Sequence, residues 1–380
     1  MQYRNFGNTG IKVSLLGFGA MRLPIIGDDY SQVDEEKTIE MIRYAIDHGV
    51  NYVDTAYPYH MGNSERVVGR ALSEGYRERV FLATKSPVWQ VERYEDFERY
   101  LDEQLERLRT DYIDMYLMHT LNEVNWTKIK ELRFWDFFEK AKSEGKIKFA
   151  GFSFHDKYPI FREIVDGYDG WDFCQIQLNY MDVNYQAGVK GLKYASSKGL
   201  AVVIMEPLKG GKLARLPSRA LEILRKSGRD WSPVEWAFRW LANFPEVSTI
   251  LSGMSSLDQV KENIEIVSCA MPGSLTEQDL KVLDEVRRTI ESLAVINCTE
   301  CGYCMPCPNG VNIPGNFRLY NETIVFEDLW WGRWVYGWFE AGKTSASFCI
   351  ECGECLRRCP QKLDIPALLK KVHERLKSHA

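Results

Sequence analysis

Eight cysteines stand within residues 298–359 in two compact runs. The first is Cys298-x2-Cys301-x2-Cys304-x2-Cys307-Pro308 and the second Cys349-x2-Cys352-x2-Cys355-x3-Cys359-Pro360. Thiolates this close together can surround an iron–sulfur cube, three from one tight turn and a fourth from elsewhere in the chain. Tetrahedral zinc is the alternative chemistry, but zinc sites usually draw on two separated pairs of ligands rather than a run of four. The two remaining cysteines, Cys174 and Cys269, are isolated and read as small buried hydrophobes.

A second set of chemistry-bearing residues closes short apolar runs nearer the N-terminus. VNYVDTA (50–56) carries Asp54, and Tyr59 follows in DTAYPY; RVFLATK (79–85) ends in Lys85; YIDMYLMH (112–119) ends in His119. Singly, these are a loop-capping Asp, an exposed Lys and a satisfied core His. Brought together, they form a proton-transfer set. A tyrosine with a pKa near ~10 is a poor acid at neutral pH. A nearby ammonium favours its phenolate, and a carboxylate can hold that ammonium in place. With histidine orienting a carbonyl, the set suits carbonyl reduction, in which carbon takes a hydride while the tyrosine protonates oxygen.

Such groups must be positioned by a scaffold, and the first 270 residues supply a regular one. The three runs above are joined by LLGFG (15–19), IKFAGFS (147–153), FCQIQLN (173–179), AVVIMEP (201–207) and VSTILSG (247–253), giving eight strands. Amphipathic stretches such as DEEKTIEMIRYAIDHG (34–49) lie between them at helical spacing. Strands apolar on both faces and separated by helices imply a buried parallel sheet. Eight units in this length suit a (β/α)8 TIM barrel, whose catalytic groups sit at the C-terminal ends of its strands. A doubly wound α/β sheet is the structural alternative. The opening YRNFGNTGIKVS reads as a hairpin closing the barrel floor.

Residues 1–290 also resemble the aldo-keto reductase family. The resemblance rests on DTAxxY (54–59), ATK (83–85) and LERLRTDYIDMYLMH (105–119). It implies a catalytic tetrad of Asp54, Tyr59, Lys85 and His119, with Tyr59 as general acid, and a nicotinamide cofactor. Ser153 in GFSFH and Gln175 in CQIQLNY match the family's carboxamide-binding positions, although Phe154 replaces the usual polar neighbour. Met205 stands where the family often stacks an aromatic ring on the nicotinamide. PLKGGKL (207–213), with Leu208, Gly210 and Lys212, is similar to the loop that wraps the pyrophosphate. GMSSLDQVKEN (253–263) resembles the branch that contains potassium-channel beta subunits, which implies adenosine contacts from Ser255, Gln259, Glu262 and Asn263. Ser255 or Ser256 would cap the helix that starts there. NADP is favoured over NAD, although the basic residues that hold its 2′-phosphate in many members are absent from this stretch.

Residues 291–380 are expected to form a separate ferredoxin-like, α-helical domain. The spacing of the second run is that of bacterial-type ferredoxins, whose fourth cysteine ligates the other cluster. By that likeness, one [4Fe–4S] cluster takes Cys298, Cys301, Cys304 and Cys359, and the other takes Cys349, Cys352, Cys355 and Cys307. The shorter spacing before Cys307 departs from the pattern. Between the runs, FEDLWWGRWVYGWFE (326–340) reads as a hydrophobic plug or, more sharply, as a stacking or docking surface.

Composition limits the rest. The 48 basic and 53 acidic residues give a net charge of −5, which argues against nucleic acid and anionic membranes as partners. The start shows no charged segment leading into an apolar stretch, and no apolar run reaches the ~18–20 residues of a membrane span, so a cytoplasmic protein is expected. Disulfides are not expected there. The partners expected are a small carbonyl substrate and a redox partner protein. An electron-transfer or redox-sensing protein whose barrel binds cofactor with little turnover is the alternative, and clusters that merely brace the tail are a third.

Overall fold

The computed structural model describes residues 1–377, in two compact units. The first comprises residues 1–214 and 231–278, and the second residues 215–230 with those from 279 onward. Ten strands occur among the described residues, all in the first unit: β1 (Tyr3–Asn5), β2 (Lys12–Ser14), β3 (Leu16–Gly19), β4 (Tyr52–Asp54), β5 (Phe81–Ser86), β6 (Ile113–Leu121), β7 (Ile147–Phe154), β8 (Phe173–Gln177), β9 (Ala201–Met205) and β10 (Val247–Gly253). Strands β3 to β10 close into one parallel barrel, with β10 pairing β3. The doubly wound alternative is thereby excluded.

The barrel's apolar logic is direct. Strand residues alternate between the interior and the surrounding helices, so both faces must be apolar. On β7, Phe154 is fully buried and turns outward against Phe161 of the helix Tyr158–Asp166, with ring centroids 5.1 Å apart. The antiparallel hairpin β1–β2 places Phe6 wholly inside the floor, 5.2 Å from Phe173 and 6.0 Å from Tyr52. Gly7 makes this entry possible. Its φ is +52°, and a Cβ there would stand 2.5 Å from the Ala201 backbone nitrogen.

The second unit is helical. The helices Ile313–Val325, Leu329–Ala341 and Ile365–Leu376 enclose a core of Ile296, Val311, Phe317, Tyr336, Leu369 and Val372, among others. Cys298, Cys304, Cys307, Cys349, Cys355 and Cys359 pack against that core, whereas Cys301 and Cys352 are exposed. The tryptophan-rich helix does not behave as a plug throughout. It buries Gly332 and Tyr336, while Trp330 and Trp338 remain 71% and 56% exposed beside Trp334. Of the two isolated cysteines, Cys174 is buried on β8 as expected. Cys269 is exposed, because it stands just past the helix Leu257–Ser268 rather than on its inner face.

Among the described residues, no helix is long and apolar enough to cross a membrane.

Candidate active site

Barrel registry determines which side chains meet. Asp54 ends β4, beside Gly19 of β3 and Ala83 of β5; Lys85 on β5 pairs in register with Leu117 of β6. His119 lies two residues farther along β6. Lys85 Nζ donates to Asp54 Oδ1 at 2.7 Å and to the Thr55 carbonyl at 2.7 Å, and both charged side chains are buried. The ammonium also sits 5.0 Å from the Tyr59 ring centroid, and His119 meets that ring edge-on at 6.2 Å. Trp89, following β5, covers the other side of His119 at 5.2 Å. The four residues of the expected tetrad thus share one place at the barrel mouth.

The electrostatics differ from the sequence expectation in one respect. By itself, a neighbouring ammonium draws a phenol's pKa down. Burial instead pushes it well above the ordinary range, and the Asp54 charge adds to the effect. The Lys85 charge is already engaged by Asp54 and the Thr55 carbonyl, so little of it is left for the phenol. Burial likewise raises the Asp54 carboxyl, with Lys85 opposing, and lowers the Lys85 ammonium, with Asp54 opposing. Burial, then Lys85 and His155, hold His119 well below its usual range. At neutral pH the site therefore presents a protonated phenol and a neutral imidazole. That combination can donate a proton and orient a carbonyl.

Several supports were not visible in the sequence. Tyr59 opens a turn in which His60 and Met61 have φ of +51° and +55°, conformations that cost non-glycine residues about 1–3 kcal/mol each. His60 fastens that turn. Its Nδ1 bonds the Tyr30 carbonyl at 2.8 Å, its Nε2 accepts the Leu23 N–H at 3.2 Å, and its ring stacks on Tyr30 at 4.3 Å. Behind Lys85, the fully buried Glu65 accepts from Thr84 Oγ1 and Gln104 Nε2, each at 2.6 Å, and from Arg107 Nη1 at 3.2 Å. Gln104 Nε2 also reaches the Lys85 carbonyl at 3.1 Å. Only pattern-free, long-range contacts reveal these partners.

The expected cofactor positions line neighbouring strands. Ser153 on β7 pairs in register with Gln175 on β8, and Gln177 pairs with Met205 on β9. Ser153 Oγ accepts the Thr120 N–H at 2.7 Å. Gln175 Oε1 and His119 Nδ1 are both buried without a hydrogen-bond partner, as is Asp54 Oδ2. Buried polar atoms are rarely left unpaired, so these orphans fit a bound group carrying amide and carbonyl functions. Phe154 points away to Phe161 and has no part in such contacts.

In the following loop, the Leu208 carbonyl accepts from the Gly211 and Leu213 N–H groups, each at 3.0 Å. Gly210 has φ +70°, and Lys212 is buried in the short turn Lys212–Ala214. The loop is pinned by a partner the sequence concealed: Lys209 Nζ bonds both Asp182 oxygens at 2.9 and 2.8 Å. Farther on, Ser256 rather than Ser255 caps the helix Leu257–Ser268, accepting from the Gln259 N–H. Ser255 Oγ donates to the Arg22 carbonyl at 2.8 Å, and its N–H meets Gln259 Oε1 at 2.8 Å. Asn263 donates to Ser252 Oγ at 3.0 Å, and Glu262 accepts from Ser232 at 3.3 Å.

In the second unit the eight clustered thiols line two hollows. Cys298, Cys301, Cys304 and Cys359 line one, with Phe317 and Ile365. Cys307, Cys349, Cys352 and Cys355 line the other, with Ile350 and Leu369, and Cys304 borders both. Among the described residues, no three His, Cys, Asp or Glu side chains converge closely enough to hold a single metal ion. A cube spreads its thiolates over four separate iron corners, so the donor set fits clusters. Burial pushes the Cys304 thiol up to about 11 and also raises Cys298, Cys349 and Cys355; a bound cation's charge would favour their thiolates.

Comparison with known proteins agrees with both halves. The Aldo/keto reductase family profile matches residues 15–288, and that of the 4Fe-4S dicluster domain matches residues 297–363. L-galactose dehydrogenase of Arabidopsis thaliana is 28% identical over 320 residues, covering 77% of this chain and 96% of its own. The NADH-specific methylglyoxal reductase of Escherichia coli (strain K12) is 26% identical over 336 residues, covering 75% of this chain and 98% of its own. Among solved structures, the holo form of aldo-keto reductase AKR11C1 from Bacillus halodurans superposes with a TM-score of 0.63 at 28% identity, over 75% of this chain and 96% of that one.

Proposed function

The chain belongs to the aldo-keto reductase family and carries a 4Fe-4S dicluster domain, and from that premise we propose that it reduces a small aldehyde, ketone or quinone-like carbonyl with Tyr59 as general acid. The observation that carries this reading is the 2.7 Å Lys85–Asp54 pair beside a protonated Tyr59 and a neutral His119. A bound reduced nicotinamide, NADPH in preference to NADH, would supply the hydride. Gln175 Oε1 and Ser153 Oγ would hold its carboxamide, and Met205 would pack against its ring. Leu208, Gly210 and Lys212 would enclose the pyrophosphate, while Ser255, Gln259, Glu262 and Asn263 would contact the adenosine.

The chain's own contribution is positional and protonic. His119 hydrogen-bonds the substrate oxygen and fixes the carbonyl against Tyr59. As the carbonyl carbon gains the hydride's electron pair, the Tyr59 O–H proton passes to the oxygen, which stays on carbon as the hydroxyl of the alcohol product. The Lys85–Asp54 pair holds its place beside the ring, the Lys85 nitrogen 5.0 Å from the centroid, while solvent reprotonates the transient phenolate. Trp89 over His119 shields the exchange from water. The curated relatives named for L-galactose and methylglyoxal agree with a small oxygenated carbonyl as substrate.

The tail would hold two [4Fe–4S] clusters, one on Cys298, Cys301, Cys304 and Cys359 and one on Cys307, Cys349, Cys352 and Cys355. Each would move single electrons to a redox partner protein. Exposure of Cys301 and Cys352 favours a second reading, in which the clusters serve an outside partner and the barrel binds cofactor with little turnover. Anaerobically purified protein decides between them. The leading reading expects NADPH consumption matched one to one by alcohol across a panel of aldehydes, ketones and quinones. Tight nicotinamide binding without consumption would overturn it in favour of the second.

A further inference from the structure

Beyond the tetrad, the barrel mouth carries two polar side chains that neither proton transfer nor cofactor binding uses. His155 directly follows β7, and its backbone N–H is fixed to the Leu121 carbonyl at 2.9 Å. Gln186 stands in the loop after β8 with φ +54°, a left-handed conformation that a side chain tolerates at a cost. Their side chains approach each other, Gln186 Nε2 lying 3.4 Å from His155 Nδ1. Gln186 Oε1 is buried without a hydrogen-bond partner, an arrangement that native proteins seldom leave unfilled. His155 is deeply enclosed by protein yet keeps some accessible surface, as a residue lining a concavity does. It lies near enough to His119 for the two imidazoles to interact electrostatically.

We infer that His155 and Gln186 form a neutral second contact point of the substrate pocket, which hydrogen-bonds an additional uncharged oxygen on the substrate beside the carbonyl held by His119. This deepens the carbonyl-reductase reading given above and rests on it. The substrate class is a carbonyl compound bearing a second neutral oxygen, hydroxyl or oxo, in preference to a plain alkyl aldehyde. Burial lowers the His155 imidazole to about 4, so near neutrality it has one N–H and one lone pair and bears no charge. Together with an amide, it offers both donor and acceptor to a hydroxyl or carbonyl and gives a carboxylate no ionic partner. A site built to bond a substrate oxygen discriminates strongly against an analogue that lacks it, because its own buried polar atoms then stay unpaired.

The test uses the holoprotein with NADPH and three aldehydes of matched length: propanal, 2-hydroxypropanal and 2-oxopropanal. The readout is the ratio of kcat/KM for each oxygenated aldehyde to that for propanal, which cancels effects common to all three. In Gln186→Leu and His155→Phe this ratio falls about 10-fold or more, carried in KM. His155→Gln, which keeps a neutral donor and acceptor, restores part of it. Affinity of the oxidised-cofactor complex for 1,2-propanediol relative to 1-propanol, measured by calorimetry, falls in parallel. An active enzyme whose ratio is unchanged in both variants, or whose losses appear equally for propanal, overturns the inference and leaves the reductase reading standing. Failure of the unaltered protein to reduce any of the three overturns both.

Discussion

Replacing Lys85 by Met removes the buried charge on which the site is built while nearly preserving side-chain length. Lys85 Nζ makes two bonds of 2.7 Å, to Asp54 and to the Thr55 carbonyl, and both ionic partners are almost wholly buried. Asp54 Oδ2 already lacks a partner, so the substitution leaves both carboxylate oxygens unpaired. Breaking a buried pair in this way costs about 3–5 kcal/mol, a large share of the roughly 5–15 kcal/mol that holds a domain folded. The loss also has a direction in pH. Burial raises the orphaned Asp54 above its unfolded value, so the native state binds the extra proton and stability falls as pH rises. The penalty should therefore be smaller near pH 5 than near pH 8, changing by at most about 1.4 kcal/mol per pH unit. Urea denaturation at both pH values, followed by circular dichroism and by cluster absorbance separately, measures it. Adding Asp54→Asn to the same variant should recover most of the loss. A penalty below about 1 kcal/mol, or one identical at the two pH values, would refute the account of a compensated buried charge.

Other expectations can be checked independently. Intact protein should carry about eight iron and eight sulfide per chain if both hollows hold cubes. The crossing of the two cysteine runs has a sharp signature: Cys298→Ala with Cys359→Ala should remove one cluster and leave about four iron. Loss of all iron in that double variant would mean that Cys359 serves its own run. His155, held near 4 in the folded state against about 6.5 when unfolded, destabilises the native state as pH falls through that window, by up to about 3 kcal/mol. Stability curves of the parent and of His155→Gln between pH 7 and 4 should therefore diverge, with the variant less acid-sensitive; parallel curves would be contrary evidence.

The barrel was legible because its strands obey a rule that needs no tertiary knowledge. Apolar runs such as IKFAGFS and VSTILSG became β7 and β10 almost residue for residue, since both faces are buried. That Asp54, Tyr59, Lys85 and His119 would meet was legible from strand ends plus a family likeness, and the grouping of the cysteine runs from their spacing. What escaped lies in contacts between segments distant in sequence. Asp182 and Lys209 are 27 residues apart and Glu65 and Gln104 are 39 apart, and neither pair carries a periodic mark. His60 and Met61 adopt left-handed backbone that sequence assigns first to glycine. The direction of the Tyr59 shift is set by burial and by the engagement of Lys85 with Asp54, both of which depend on packing. Composition leaves both a plug and a docking surface open for the tryptophan-dense stretch, and only the helix face shows that Trp330 and Trp338 are exposed.

The most direct test of the reductase reading is a single-turnover comparison of the parent protein with Tyr59→Phe, both anaerobic, iron-replete and loaded with NADPH. Both should bind the cofactor equally, because Phe keeps the ring that packs over Lys85. With 2-oxopropanal, or whichever carbonyl the parent reduces best, the parent should form alcohol while the variant slows by about 10²–10⁴-fold, the usual contribution of a positioned acid. Alcohol formation by Tyr59→Phe at the parent's rate would contradict the assignment of Tyr59 as proton donor and the mechanism built on it.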